Sequence, residues 1–164
     1  MVPMTDHALQ VGDQAPAFSL PVSGGGTVSS DALKGKPYLL YFYPKADTPG
    51  CTTQACSIQE NLPSFDSEGL TIIGVSPDAV SKIERFAAKY SLTFPLASDE
   101  DHMVAEAYGT WVEKSMYGRT YMGMERSSFL VDGSGVIRHI WRKVKPAEHS
   151  ALVAEAFRSL TSGA

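Results

Sequence analysis

Apolar residues along the chain fall into short runs whose spacing switches between strand-like and helical periods. Residues 38–43 read Tyr-Leu-Leu-Tyr-Phe-Tyr, an apolar and aromatic run of strand length and composition. Directly after it, Thr48-Pro49-Gly50 supplies a hydroxyl that could cap a helix and a proline whose fixed φ suits a first helical position. Ile58, Leu62 and Phe65 then recur at helical spacing, so a helix is predicted to begin near Cys51. Upstream, residues 12–21 alternate apolar and polar positions and meet Gly24-Gly25-Gly26 before Thr27-Val28, which predicts an N-terminal hairpin; Ser29, Ser30 and Asp31 offer caps for a short turn ending near Gly35.

Downstream, Gly69 punctuates and residues 70–76 form a buried-strand pattern. Asp78 is placed to cap a helix carrying Val80, Ile83, Phe86, Ala87 and Tyr90, followed by a short strand over 94–97. The acidic cluster at 98–101 suits the start of a helix running to about Tyr108. Residues 109–125 show no clean period although Trp111, Met116, Tyr117, Tyr121, Met122 and Met124 lie there, and the expectation is a long loop of functional kind. Residues 126–141 carry a strand, a turn at Gly133-Ser134-Gly135 and a second strand, and Pro146 is expected to open a last amphipathic helix through Leu152, Phe157 and Leu160. The sum is one α/β domain over residues 1–164, with a mixed sheet flanked by helices.

Composition changes this picture little: 164 residues, 43% hydrophobic and 20% charged, are ordinary for a single globular unit. The net charge of −4 argues against a broad nucleic-acid footprint or a polybasic membrane segment. No apolar run approaches the roughly 20 residues of a spanning helix, and residues 1–8 lack the order of a secretory signal, so a cytoplasmic protein is expected. Two cysteines are too few for a disulfide framework, and in a reducing compartment their C-x4-C spacing points to chemistry or metal binding. A metal needs three or four ligands, and Cys51, Cys56, His7, His102, His139 and His149 show no familiar ligand spacing, so neither metal nor cofactor is expected.

Cys51 can be a small buried hydrophobe or a reactive thiol. A helix N-terminus lowers a thiol pKa and enriches the thiolate, and Pro44 and Pro49 would hold the turn around it. Cys56 lies five residues on, about 7.5 Å of helical rise and roughly 140° of rotation away. A disulfide needs Cα atoms about 4.4–6.8 Å apart with converging side chains. Either the two never pair, or pairing requires the first helical turns to unwind.

Pro44-x-x-x-Thr48-x-x-Cys51 resembles the P-x-x-x-(T/S)-x-x-C motif of peroxiredoxins, and residues 42–56 are similar to the bacterioferritin-comigratory protein, or peroxiredoxin Q, subfamily. The likeness extends through 98–102, 108–118 and 126–132. It implies a thioredoxin-like fold and a peroxidase acting on hydrogen peroxide and organic hydroperoxides. By resemblance Cys51 is the peroxidatic cysteine, Thr48 bonds the peroxide and the sulfur, Pro44 shields the pocket, Arg126 is the active-site cation and Gln54 orients it. Cys56 would resolve the Cys51 sulfenic acid as an intramolecular disulfide, so the helix over 51–56 must open during turnover. Thioredoxin, or glutaredoxin, would reduce that disulfide, and a monomer suffices. Two other classes compete: a peroxide sensor signalling through the same disulfide, and a dithiol oxidoreductase, which would normally show C-x-x-C.

Overall fold

The computed structural model describes residues 9–143 and 145–162; residues 1–8, with His7 and the stretch read for a leader, lie outside them. A five-stranded sheet carries the fold, in the order β5 (Leu96–Ser98), β4 (Thr71–Ser76), β3 (Tyr38–Phe42), β8 (Ser127–Val131) and β9 (Ile137–Arg142). Its central strand β3 is buried along its whole length and pairs parallel to β4 and antiparallel to β8. Strand β5 extends the β4 side in parallel, and β9 closes the other edge.

The period of two along β3 divides the core. Leu39, Tyr41 and Tyr43 face a layer made by Ile58 and Phe65 of α1 (Pro49–Glu68), Ile83 and Phe86 of α2 (Val80–Tyr90), and Val153 and Phe157 of α4 (His149–Ser162). Tyr38, Leu40 and Phe42 face Val104, Ala105 and Tyr108 at α3 (Met103–Ala107), together with Phe18 and Leu20 at the N-terminal hairpin. That hairpin pairs β1 (Ser19–Pro21) with β2 (Thr27–Ser29), and a 3-10 turn at Asp31–Leu33 follows, as expected. A strand covered on both faces needs apolar residues at every position, which is why its sequence reads as a continuous run. The sheet admits one close approach: a Cβ on Gly74 would sit 2.9 Å from both Tyr41 Cζ and Leu96 Cδ2, so the Tyr41 ring lies across β4 where only glycine leaves room.

Helix α1 starts with Pro49 in its first turn and ends on Gly69, whose φ of 88° closes the helix in the left-handed region. Inside it, Pro63 has no N–H for the Gln59 carbonyl one turn back. The Gln59 side chain accepts from Thr93 N at 2.8 Å and donates to Thr93 Oγ1 at 3.0 Å, pinning this part of α1 to the end of the α2–β5 connection. Toward its start, α1 meets α4 through a polar seam, where Ser57 Oγ and Ser150 Oγ are 2.6 Å apart and Asn61 Nδ2 donates to the Ser57 carbonyl at 2.8 Å.

Three expectations are corrected. Residues 109–125 are not a loop: β6 (Trp111–Met116) and β7 (Arg119–Met124) pair as a separate hairpin turning at Tyr117-Gly118. Both turn residues have positive φ, 53° and 78°, the geometry of a two-residue hairpin turn. Asp78 does not cap α2; its carboxylate accepts from Ala46 N at 2.7 Å and Ser76 Oγ at 3.0 Å. The cap expected of the 98–101 cluster is made by Asp99, which accepts from Val104 N and Ala105 N. Helix α4 begins at His149, because residues 146–148 form a turn before it.

Candidate active site

The connection from β3 to α1 carries Pro44 and Thr48 and leads into Cys51 in the first turn of α1, and it is anchored on α2. Ala46 N donates to Asp78, just before that helix. Asp47, at φ 65°, reaches the other end, taking bonds from Lys89 Nζ at 3.1 Å and Tyr90 OH at 2.9 Å. These two bonds hold the exposed Asp47 carboxyl below its ordinary pKa, Lys89 being the larger cause. The loop preceding the nucleophile candidate is thus held by groups outside α1.

Cys51 is buried in the first turn of α1, at 1% exposure. The N–H groups of a helix's first turn have no carbonyl one turn back, and Thr48, although it occupies the cap position, does not fill in for one. Its Oγ1 donates to the Lys45 carbonyl at 2.9 Å, contrary to the capping read from sequence. The N–H of Cys51 therefore keeps its positive end beside the sulfur. Thr52 N, by contrast, bonds the Thr48 carbonyl at 2.8 Å and begins the helical ladder.

Arg126, immediately before β8, is brought against this turn. Its Nη1 donates to Gln54 Oε1 at 2.7 Å. Its Nη2 lies 3.1 Å from where a Cβ on Gly50 would be, so the guanidinium lies flush on the helix start because residue 50 has no side chain. Gln54 is fully buried and sits one turn beyond Cys51. Pro44 and Arg126 share a cleft of about 600 Å³ with Lys114 and Tyr121 of the β6–β7 hairpin. The sequence-predicted residues Pro44, Thr48, Cys51, Gln54 and Arg126 all lie on the helix start, the loop before it or the strand start facing it. Cys56 is separate: half-buried, a free thiol on the same unbroken helix, one and a half turns further along.

Behind Cys51 lies a layer that sequence reasoning missed. Burial raises the Tyr41 phenol well above its ordinary range, with Tyr43 and Cys51 adding to the shift and Arg126 opposing it. The Tyr41 ring is 5.3 Å from His149, whose Nε2 is 2.7 Å from Ser128 Oγ. Burial, and then the Arg126 charge, pull the His149 imidazole down to about 3, so it is neutral at ordinary pH. Register alone could have paired Tyr41 with Ser128; nothing in the sequence signals His149.

Residues 11–140 match the model of the AhpC/TSA family. The chain is 47% identical over 154 residues to a putative peroxiredoxin bcp of Haemophilus influenzae, covering 94% of this chain and 99% of that one. It is 46% identical over 147 residues to peroxiredoxin Bcp of Escherichia coli K12, covering 90% and 94%. Among solved structures, a Xanthomonas campestris bacterioferritin comigratory protein studied for alkyl peroxide reduction superposes with a TM-score of 0.83 at 41% identity, over 87% of this chain and 90% of that one. A buried thiol at a helix start, faced by an arginine on a thioredoxin-like sheet, is accordingly found in a chain that belongs to the AhpC/TSA family, on its Bcp or peroxiredoxin Q branch, and is a peroxiredoxin.

Proposed function

We propose that this peroxiredoxin reduces hydrogen peroxide and organic hydroperoxides with Cys51 as nucleophile and Cys56 as resolving thiol, and that thioredoxin recycles it. The observation that carries the reading is the placement of Arg126, bonded to Gln54 and laid on Gly50, against the helix turn that holds Cys51. The Cys51 thiolate attacks the terminal peroxide oxygen. A sulfur–oxygen bond forms as the O–O bond breaks, and both electrons of that bond leave on the other oxygen as hydroxide or alkoxide. That anion takes a proton from solvent, leaving Cys51 as a sulfenic acid, the first and reversible step of thiol oxidation.

Donors aimed at the departing oxygen lower this barrier most. Arg126 and the Cys51 N–H are those donors. Thr48 acts in the opposite sense: with its hydrogen committed to the Lys45 carbonyl, Oγ1 presents lone pairs and accepts a hydrogen bond from the peroxide O–H. Pro44 adds no competing donor to the cleft wall. In the second half, Cys56 attacks the Cys51 sulfenic acid and expels water as the disulfide forms. An intact helix holds the two sulfurs on different sides, so α1 opens over residues 51–56 before this step. The disulfide is then reduced by exchange with a dithiol. Resolution within one chain makes the monomer the working unit, and the reducing cytoplasm its place.

A coupled assay with thioredoxin, its reductase and NADPH tests the scheme. Peroxide-dependent NADPH loss is expected, abolished by Cys51→Ser and strongly reduced by Cys56→Ser. Turnover surviving Cys51→Ser removes the nucleophile assignment. A protein that oxidises to the disulfide but does not turn over is a sensor.

A further inference from the structure

The cleft that Pro44 and Arg126 line holds a second cation that is built in rather than draped over it. Lys114 lies on β6 opposite Tyr121. Its stem crosses Gly123, where a Cβ would come within 3.2 Å of Lys114 Cδ and 3.4 Å of Cε, so residue 123 leaves the path open by having no side chain. At the end of that path Nζ donates to the Met124 carbonyl at 2.6 Å, two residues before Arg126. A lysine Nζ with three N–H donors has two left after this bond. The side chain is half-buried and lines the same cleft as Pro44 and Arg126.

Positive charge is in excess around it. Lys114, Arg126 and Lys143 line this cleft with Glu113 and Glu125, and Glu125 also lies 3.9 Å from Arg142, outside the lining. Burial and the Arg126 charge lower the Lys114 pKa, while Glu125 and Cys51 act in the other direction, as partners of an ammonium. The other titratable groups near Cys51 do not supply a cation: Tyr41 and Tyr43 behind it are held neutral by burial, His149 beneath Arg126 is neutral, and Cys56 is a thiol on the same helix.

We propose that Lys114 is the second cation of the peroxide site, a positioning residue that acts on Cys51 through its field from a fixed seat on the Met124 carbonyl, favouring the thiolate and the charge that develops on the departing oxygen. This rests on Cys51 being the nucleophile. The two cations differ in mounting: Arg126 is held by the helix that opens, Lys114 by the hairpin, which does not belong to α1.

The test uses the full chain with Cys56→Ser, so that Cys51 alone titrates, and compares Lys114 with Lys114→Gln, Lys114→Met and Lys114→Arg. Thiolate absorbance against pH gives the Cys51 titration, and stopped-flow tryptophan fluorescence gives its oxidation by hydrogen peroxide. Gln keeps a donor for the Met124 carbonyl while removing the charge. The Cys51 titration is expected to move up by about one pH unit in Lys114→Gln and Lys114→Met. Oxidation at pH 7 should slow about tenfold, and Lys114→Arg should restore most of both. A Lys114→Gln protein that titrates like its parent and oxidises within about twofold of it overturns the proposal, as does a fall in melting temperature with an unmoved titration, since Lys114 would then only brace the hairpin. Oxidation persisting in Cys51→Ser would instead overturn the nucleophile assignment, independently of Lys114.

Discussion

Arg126 donates to the side-chain carbonyl of Gln54 at 2.7 Å, one helical turn beyond Cys51. Gln54 is fully buried, and the only bond described for its side chain is this one, so that side chain is committed to setting the arginine's orientation. Gln54→Ala should lower the second-order rate of Cys51 oxidation by about ten- to hundredfold, with far-ultraviolet circular dichroism unchanged. Stopped-flow oxidation is the measurement; a variant as fast as its parent would show that Arg126 is placed by other contacts.

Gly50 offers a test in which stability and activity separate. Its backbone is helical, so Gly50→Ala adds helix propensity worth up to about 1 kcal/mol. The new methyl would lie 3.1 Å from Arg126 Nη2 and displace the guanidinium by a few tenths of an ångström. The expected outcome is an equal or higher melting temperature with peroxide oxidation slowed about tenfold. Activity and melting temperature moving together in the same direction would contradict the flush packing of Arg126 on the helix start.

His149 gives the fold an acid sensitivity. Its pKa is about 3 in the folded protein, against about 6.5 unfolded. A folded-state value below the unfolded one means that the unfolded chain takes up the proton first. Stability is fully present above pH 6.5 and is lost progressively as pH falls toward 3. Urea unfolding should show the parent losing about 2 kcal/mol more than His149→Leu between pH 7 and pH 5. Identical pH slopes for the two proteins would mean that His149 is not buried uncharged.

Ser57 and Ser150 are 2.6 Å apart where α1 meets α4, just past Cys56. If α1 must open for the disulfide to close, this bond resists the motion. Ser57→Ala removes it while Asn61 still reaches Ser150. Disulfide closure after one equivalent of peroxide should quicken by about threefold to tenfold, the equivalent of roughly 1 kcal/mol. Rapid quench followed by thiol counting reads the rate. An unchanged rate would remove this seam from the opening step.

Local patterns carried much of the architecture. The apolar run at 38–43, the proline at the start of α1, the helical spacing of Ile83 and Phe86 and the glycine turn at 133–135 each announce their element within a few residues. The β6–β7 hairpin escaped because it is a two-stranded sheet largely exposed along β7, so its alternation carries no burial contrast, and its turn is Tyr117-Gly118 rather than Asn-Gly or Asp-Gly. Asp78 escaped for another reason: its position suits a cap, but the Ala46 N–H reaches it from 32 residues away. Of the candidate site, Pro44, Thr48 and Cys51 were picked out by a spaced motif, and Gln54 and Arg126 by the wider resemblance. Lys114, Gly50, Tyr41 and His149 were not, because what brings them to the candidate site is contact across the fold.

The break in the hydrogen-bond ladder of α1 bears on how often the proposed cycle can repeat. Pro63 leaves the Gln59 carbonyl without its helical donor, and the Gln59 side chain is fastened to Thr93. Opening of residues 51–58 can therefore stop at Gln59, with the remaining turns still docked through Leu62 and Phe65. Restoring the helix after reduction is then growth from a standing end, which escapes the unfavourable nucleation that makes a new helix slow and costly. The resident C-terminal segment acts as a seed, and the rearmed site can return on the timescale of helix elongation rather than that of folding.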